Sequence, residues 1–136
     1  MDVRKRILIV DDELGIVKIL GIKLGLSGYD VINTTSGTEA IELLRKQEPD
    51  IMLLDMVLPD MSGMDVIDRV RAFSQVPIIM YSGLPNIAEL ARKLEVNDYI
   101  GKPFDPDLLV DKIRLVLSTH HSVRGYDANK EESPSR

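Results

Sequence analysis

Residues 7–15 read ILIVDDELG. Four aliphatic residues in a row, with no polar residue between them, suit a strand buried on both faces, as in a parallel sheet. The run ends in two adjacent carboxylates, Asp11 and Asp12, with Glu13 directly behind them. Like charges placed where a buried strand emerges repel one another, and that costs free energy unless a cation or a proton offsets it. Further short apolar runs follow at Val31–Ile32, Ile51–Leu54, Ile78–Met80 and Tyr99–Ile100, about 20 to 27 residues apart. Each interval leaves room for a crossover helix. Five strand–helix units in a chain of this size predict a doubly wound α/β fold.

Helix signals fall between the strands. Ser36-Gly37-Thr38-Glu39 has the capping-box pattern, in which Ser36 caps a backbone N–H and Glu39 reaches back. Asp105 reads as an N-cap, with Pro106 at the first helical position and Asp107 favourable to the helix dipole. In the helix that follows, Leu109, Ile113 and Val116 share one face. Pro49 and Pro77 each stand just ahead of a strand, where they end the preceding segment. The first helix, within ELGIVKILGIKLGLSG, is unusually apolar: Ile16, Leu20 and Leu24 are expected to face the sheet. Ile19, Ile22 and Leu26 form a second stripe, with Ile19 expected to pack on helix five and Ile22 to be exposed.

The 136 residues suit one domain with one core, packed by Ile, Leu, Val and Met because aromatic residues are only 4%. Cysteine is absent, which excludes disulfides and thiolate metal sites. The net charge of −5 belongs to the residues before 119, since 119–136 hold three basic and three acidic side chains. That balance argues against direct nucleic-acid binding. No apolar stretch has the length of a membrane span, and nothing at the N-terminus resembles a signal peptide, so the expected compartment is the cytoplasm. Residues 119–136 are polar and aperiodic and are expected to form a flexible tail or linker. The adjacent His120 and His121 lie there without the convergent ligands a metal site needs.

In an open parallel sheet, ligands bind beyond the carboxyl ends of the strands. The residues standing there form one chemical set: Asp11 and Asp12 after strand one, Asp55 after strand three, Ser82 after strand four and Lys102 after strand five. Three carboxylates without sulfur or imidazole suit a hard divalent cation such as Mg²⁺. Lys102 supplies a point charge, and Ser82 a hydroxyl donor, suited to phosphoryl oxygens.

ILIVDDE, DIMLLDMVLPDMSGMD, IIMYSG and DYIGKPF, in this order, resemble a response-regulator receiver domain of two-component signalling, over about residues 5 to 118. The resemblance implies a receiver domain over 1–118, a flavodoxin-like (βα)5 fold and strand order 2-1-3-4-5. It implies phosphoryl transfer from a histidine kinase or histidine phosphotransfer protein onto Asp55. Asp12 would bind Mg²⁺, or Mn²⁺, directly, Asp11 mainly through water, and the Val57 carbonyl would complete the protein ligands. Ser82 and Lys102 would contact the new phosphoryl group, and the Tyr99 ring would report the position of Ser82. A cis bond is implied between Lys102 and Pro103. The surface of helix four, strand five and helix five would carry the switch to a downstream effector. Ile16, Ile19, Ile22, Pro103 and Phe104 fall where the family docks its phosphodonor.

Some positions depart from the family pattern. Val57 and Leu84, two residues after Asp55 and Ser82, are apolar and cannot hydrogen-bond an attacking water, which predicts a long-lived phosphoryl group. The segment from Ser82 to Lys102 is about two residues short, so helix four is expected to be short or displaced. Glu95-Val96 replaces the usual Gly-Ala pair. Leu108 replaces an acidic residue used in the dimers of winged-helix regulators, which argues against that dimer and that DNA-binding subclass. Two other readings compete: a receiver-like interaction module that is never phosphorylated, and a flavodoxin-like cofactor enzyme. The first is disfavoured by the full set of site residues, and the second by an acidic rather than phosphate-cradling first loop.

Overall fold

The computed structural model describes residues 3–119. Its elements run β1 (Arg6–Val10), α1 (Leu14–Leu26), β2 (Asp30–Thr34), α2 (Gly37–Gln47), β3 (Ile51–Asp55), α3 (Gly63–Arg71), β4 (Ile78–Ser82), α4 (Ile87–Leu94), β5 (Asp98–Gly101) and α5 (Pro106–Thr119). The five strands form one parallel sheet in the order β2-β1-β3-β4-β5, as expected. Chain direction across the sheet reverses between β1 and β3, which makes that crevice the switch point.

Side chains of successive strand residues point to opposite faces, and both faces here are covered. Leu8, Val10, Met52, Leu54, Ile78 and Met80 pack with α2, α3 and α4. Ile7, Ile9, Ile51, Leu53, Ile79 and Tyr81 pack with α1 and α5. That double burial is why β1, β3 and β4 are apolar without alternation.

On α1 the buried line is Val17, Leu20 and Leu24. Ile16, expected on the sheet face, is only half-buried and packs at its margin. Ile19 does not pack on α5 as expected but is 61% exposed, with Ile22 at 58% and Leu26 at 84%. The reason is angular: each residue advances about 100°, so Ile19 stands more than a quarter turn away from the Val17–Leu24 line. The polar link from α1 to α5 is the ion pair Lys23–Asp107.

Half of the expected capping box forms at α2. Ser36 accepts the Glu39 N–H (3.1 Å), but the Glu39 carboxylate takes the Thr34 hydroxyl instead of reaching back to Ser36. The Ser36 N–H in turn donates to Thr34 Oγ1 (3.1 Å). Asp105 caps α5 as expected, its Oδ1 accepting the Asp107 N–H at 2.9 Å, and Leu109, Ile113 and Val116 are buried. At 8 residues α4 is the shortest of the five helices, and it ends on Glu95 in the left-handed region at φ 55. The tail expected from 119 starts one residue too early, since Thr119 is the last residue of α5; the rest of it, 120–136 with His120 and His121, lies outside the described residues.

Candidate functional site

Four loops at the carboxyl edge of the sheet enclose a cavity of about 450 Å³, lined among others by Asp12, Asp55, Val57, Ser82, Leu84 and Lys102. Register explains the convergence. Val10 pairs with Leu54, Asp55 with Tyr81, and Ser82 with Gly101, so the strands end at similar heights around the switch point. Asp11, Asp55 and Ser82 are buried, and Asp12 is exposed at the mouth.

One oxygen from each of Asp11, Asp12 and Asp55 lies within 4.8 Å of the others. This all-carboxylate donor set, open to the cavity, fits a hard divalent ion of the Mg²⁺ kind. Lys102 Nζ reaches into the same place, donating to Asp55 Oδ2 (2.9 Å), Glu13 Oε1 (2.9 Å) and more distantly Asp11 Oδ2 (3.4 Å). The other Asp55 oxygen accepts the Val57 N–H at 3.1 Å. Burial raises the Asp55 carboxyl from its ordinary value, against the opposing pull of the Val57 N–H and Lys102. Burial also works against the Lys102 ammonium, but its bonds to Glu13 and Asp55 and the Asp11 charge outweigh that and hold its pKa above the ordinary lysine value. The peptide bond between Lys102 and Pro103 is cis, as the resemblance implied.

The structure thus brings together Asp11, Asp12, Asp55, the Val57 backbone, Ser82 and Lys102. Ser82 Oγ accepts the Leu84 N–H at 3.1 Å, within reach of the cavity. Tyr99 lies apart, 38% exposed on β5, with Lys112 Nζ 5.8 Å from its ring centroid. Phe104 is half-buried beside Tyr81, while Pro103, Ile19 and Ile22 are exposed.

Three residues at the site escaped the sequence reading. Glu13 was noted for its charge but not as a partner of Lys102. Tyr81 is fully buried and donates its hydroxyl to Asp11 Oδ2 at 2.7 Å. Burial, then that bond and the neighbouring carboxylates, push its phenol far above the ordinary tyrosine value, so the hydroxyl is a donor. A tyrosine inside an aliphatic strand was a usable signal, since a buried phenol needs a polar partner. The third is Asp60, in the β3–α3 loop, whose carboxylate accepts the N–H groups of Gly37 (2.9 Å) and Thr38 (3.0 Å) and the hydroxyls of Ser36 and Thr38. The bonds from Thr38 and Gly37 hold its carboxyl well below the usual carboxylate range. They tie the loop that carries Val57 to the start of α2, a contact no local pattern announces.

An open parallel sheet with a carboxylate pocket and a lysine at its switch point defines a flavodoxin-like α/β protein with an acidic group that could hold a metal ion. The profile of the response regulator receiver domain matches residues 7–114. The chain belongs to that family, the receiver domains of two-component signalling. It is 40% identical over 119 residues to the probable transcriptional regulator ycf27 of Guillardia theta, covering 86% of this chain and 47% of that protein. It is also 40% identical over 116 residues to the DNA-binding response regulator MtrA of Mycolicibacterium paratuberculosis, covering 84% of this chain and 52% of that protein. The chain therefore spans about half the length of these curated relatives. Among solved structures, a putative response regulator from Chloroflexus aurantiacus superposes with a TM-score of 0.80 at 31% identity, over 85% of this chain and 99% of that one. Among the described residues, no helix is long and apolar enough to cross a membrane.

Proposed function

We propose that this chain is the phosphoacceptor of a two-component or phosphorelay system and takes a phosphoryl group from a histidine kinase or histidine phosphotransfer protein onto Asp55. The observation that carries this reading is the convergence of Asp11, Asp12 and Asp55 within 4.8 Å, with Lys102 Nζ 2.9 Å from Asp55. In the reaction an Asp55 carboxylate oxygen attacks phosphorus, an O–P bond forms, and the P–N bond to the donor imidazole breaks. Asp12, Asp55 and the Val57 carbonyl would hold Mg²⁺, or Mn²⁺, with Asp11 acting mainly through water. The ion, when bound, supplies the positive charge that offsets the incoming phosphoryl oxygens. Lys102 exchanges its bonds to Glu13 and Asp11 for a phosphoryl oxygen, and the Ser82 hydroxyl donates to another. What the pocket contributes is positioning and preset charge.

The product carries nearly two added negative charges. Ser82 moves toward them, Tyr99 turns inward, and the surface of α4, β5 and α5 changes its partner preference. The protein is a signalling receiver rather than an enzyme with an external substrate. Ile16, Ile19, Ile22, Pro103 and Phe104 dock the phosphodonor's helix, a role supported by the exposure of Ile19 and Ile22. Val57 and Leu84 line the cavity and offer an attacking water no hydrogen bond, so the phosphoryl group is long-lived and shortens its life in Val57→Asn.

The receiver, expected over 1–118, runs through the end of α5 at Thr119 and lies in the cytoplasm, and the polar residues after it are a tail or linker. The names of the relatives, transcriptional and DNA-binding regulators, run against the expectation drawn from Leu108. They favour a downstream effector that acts in transcription. Intact mass after incubation with Mg²⁺ and acetyl phosphate tests the core of the proposal. One phosphoryl adduct on wild type that is absent from Asp55→Asn is expected. No adduct with any small donor would leave a receiver-like interaction module instead.

A further inference from the structure

Asp11 is fully buried, and protein donors hold both of its oxygens. Oδ1 accepts the Glu13 N–H at 2.8 Å. Oδ2 accepts the Tyr81 hydroxyl at 2.7 Å and, at 3.4 Å, the Lys102 ammonium. The backbone bond is local, and the lysine is shared with two other carboxylates. The phenol is therefore the one side chain among the described donors committed to Asp11 alone.

Tyr81 is an odd choice for its place. It sits among Ile79, Ile100, Leu109 and Ile113, where an aliphatic side chain would fill the space without bringing a polar atom into the core. A buried hydroxyl is tolerated where it finds a partner, and this one finds the acid beside the cation site. The same ring carries Lys102 Nζ 4.9 Å from its centroid and meets Phe104 edge-on at 5.8 Å. One side chain thus touches the acid, the lysine and the loop after Pro103.

We propose that the Tyr81 hydroxyl is a positioning group for the divalent-cation site, fixing the carboxylate plane of Asp11 so that its remaining lone pairs face the ion or the ion's water. The inference rests on the reading of the pocket as a Mg²⁺ site. Partners that orient a ligand from behind typically set metal affinity by 10- to 100-fold, and a single neutral hydroxyl belongs at the lower end of that range. Tyr81→Phe isolates the effect, because it keeps the ring under Lys102 and against Phe104 and removes only the donor.

The test is Mg²⁺ titration of the full chain by calorimetry, with the thermal midpoint of the metal-free protein recorded separately. Tyr81→Phe is expected to bind Mg²⁺ about 10-fold more weakly than wild type while melting cooperatively. A Kd equal to wild type would overturn the inference and leave the metal site standing. A wild type that takes up no Mg²⁺ would overturn both. The tyrosine ultraviolet difference spectrum on adding Mg²⁺ decides the matter even if Tyr81→Phe fails to fold. It should be present in wild type and retained when Tyr29, Tyr99 and Tyr126 are each replaced by Phe, and a wild type that binds Mg²⁺ with no such spectrum would refute the role of Tyr81.

Discussion

α4 closes in a way that predicts an unusual stabilising substitution. Its cap, Glu95, holds φ 55 and ψ 41, and the Val96 N–H returns to the Ala91 carbonyl at 3.2 Å, the bond that closes a left-handed helix end. An L-residue with a Cβ loses about 1–2 kcal/mol in that region. Glycine escapes the clash but gives up about 0.5–1 kcal/mol more chain entropy on folding. The Glu95 side chain is exposed, so little packing is lost, and Glu95→Gly should gain about 0.5–1 kcal/mol. With a urea m-value of about 1.5–2 kcal/mol/M, the unfolding midpoint should rise by roughly 0.3–0.7 M. Arg92→Gly is the control: three residues earlier, exposed and inside the same helix, it should lose about 1 kcal/mol. Urea unfolding followed by circular dichroism reads both. If the two substitutions move the midpoint in the same direction, or Glu95→Gly lowers it, the conformational argument is wrong.

A Cβ on Gly63 would lie 2.7 Å from Met56 Cα and 3.1 Å from the Asp55 carbonyl, so Gly63→Ala must shift the backbone beside the phosphoacceptor. It should cost about 1–3 kcal/mol in urea unfolding and weaken Mg²⁺ binding in calorimetry. Asp60 has a depressed carboxyl pKa in the fold, so its stabilisation is complete above the unfolded value of about 4 and lost as pH falls further below it. The stability gap between wild type and Asp60→Asn should accordingly be widest at neutral pH and narrow in acid, as read from urea midpoints across pH. Ile22→Asp, at a position 58% exposed, should change stability by no more than about 0.5 kcal/mol and leave phosphorylation by acetyl phosphate intact. Transfer from the cognate phosphodonor protein should fall, as followed by labelled phosphoryl transfer.

The sheet was legible because β1, β3 and β4 are buried on both faces, and that leaves an uninterrupted apolar run that local reading detects. The acid pair, Asp55, Ser82 and Lys102 were legible for a related reason: each ends a strand or follows one within two residues, so topology alone carries them to one edge. What was lost depends on angle or distance. Ile16 and Val17 are adjacent and equally apolar, and only the helix's rotation against the sheet selects Val17 for burial. The Glu39 carboxylate chose the Thr34 hydroxyl over its own helix end because β2 brings that hydroxyl alongside. Asp60 caps a helix more than twenty residues away in sequence, and Tyr81 reaches an acid seventy positions earlier. Glu95 belongs with what was lost: it stands in place of the glycine of the family's Gly-Ala pair, but the left-handed backbone it adopts shows only in the fold.

The proposed mechanism turns on which carboxylate takes the phosphoryl group. Treating the Mg²⁺- and acetyl phosphate-loaded protein with borohydride reduces an aspartyl phosphate to a stable alcohol, and peptide mapping then locates it. The reduced residue should be Asp55 alone, and chelating Mg²⁺ beforehand should abolish it. Reduction at Asp11, Asp12 or Asp60 instead, or labelling of Asp55 that persists without a divalent ion, would contradict the mechanism.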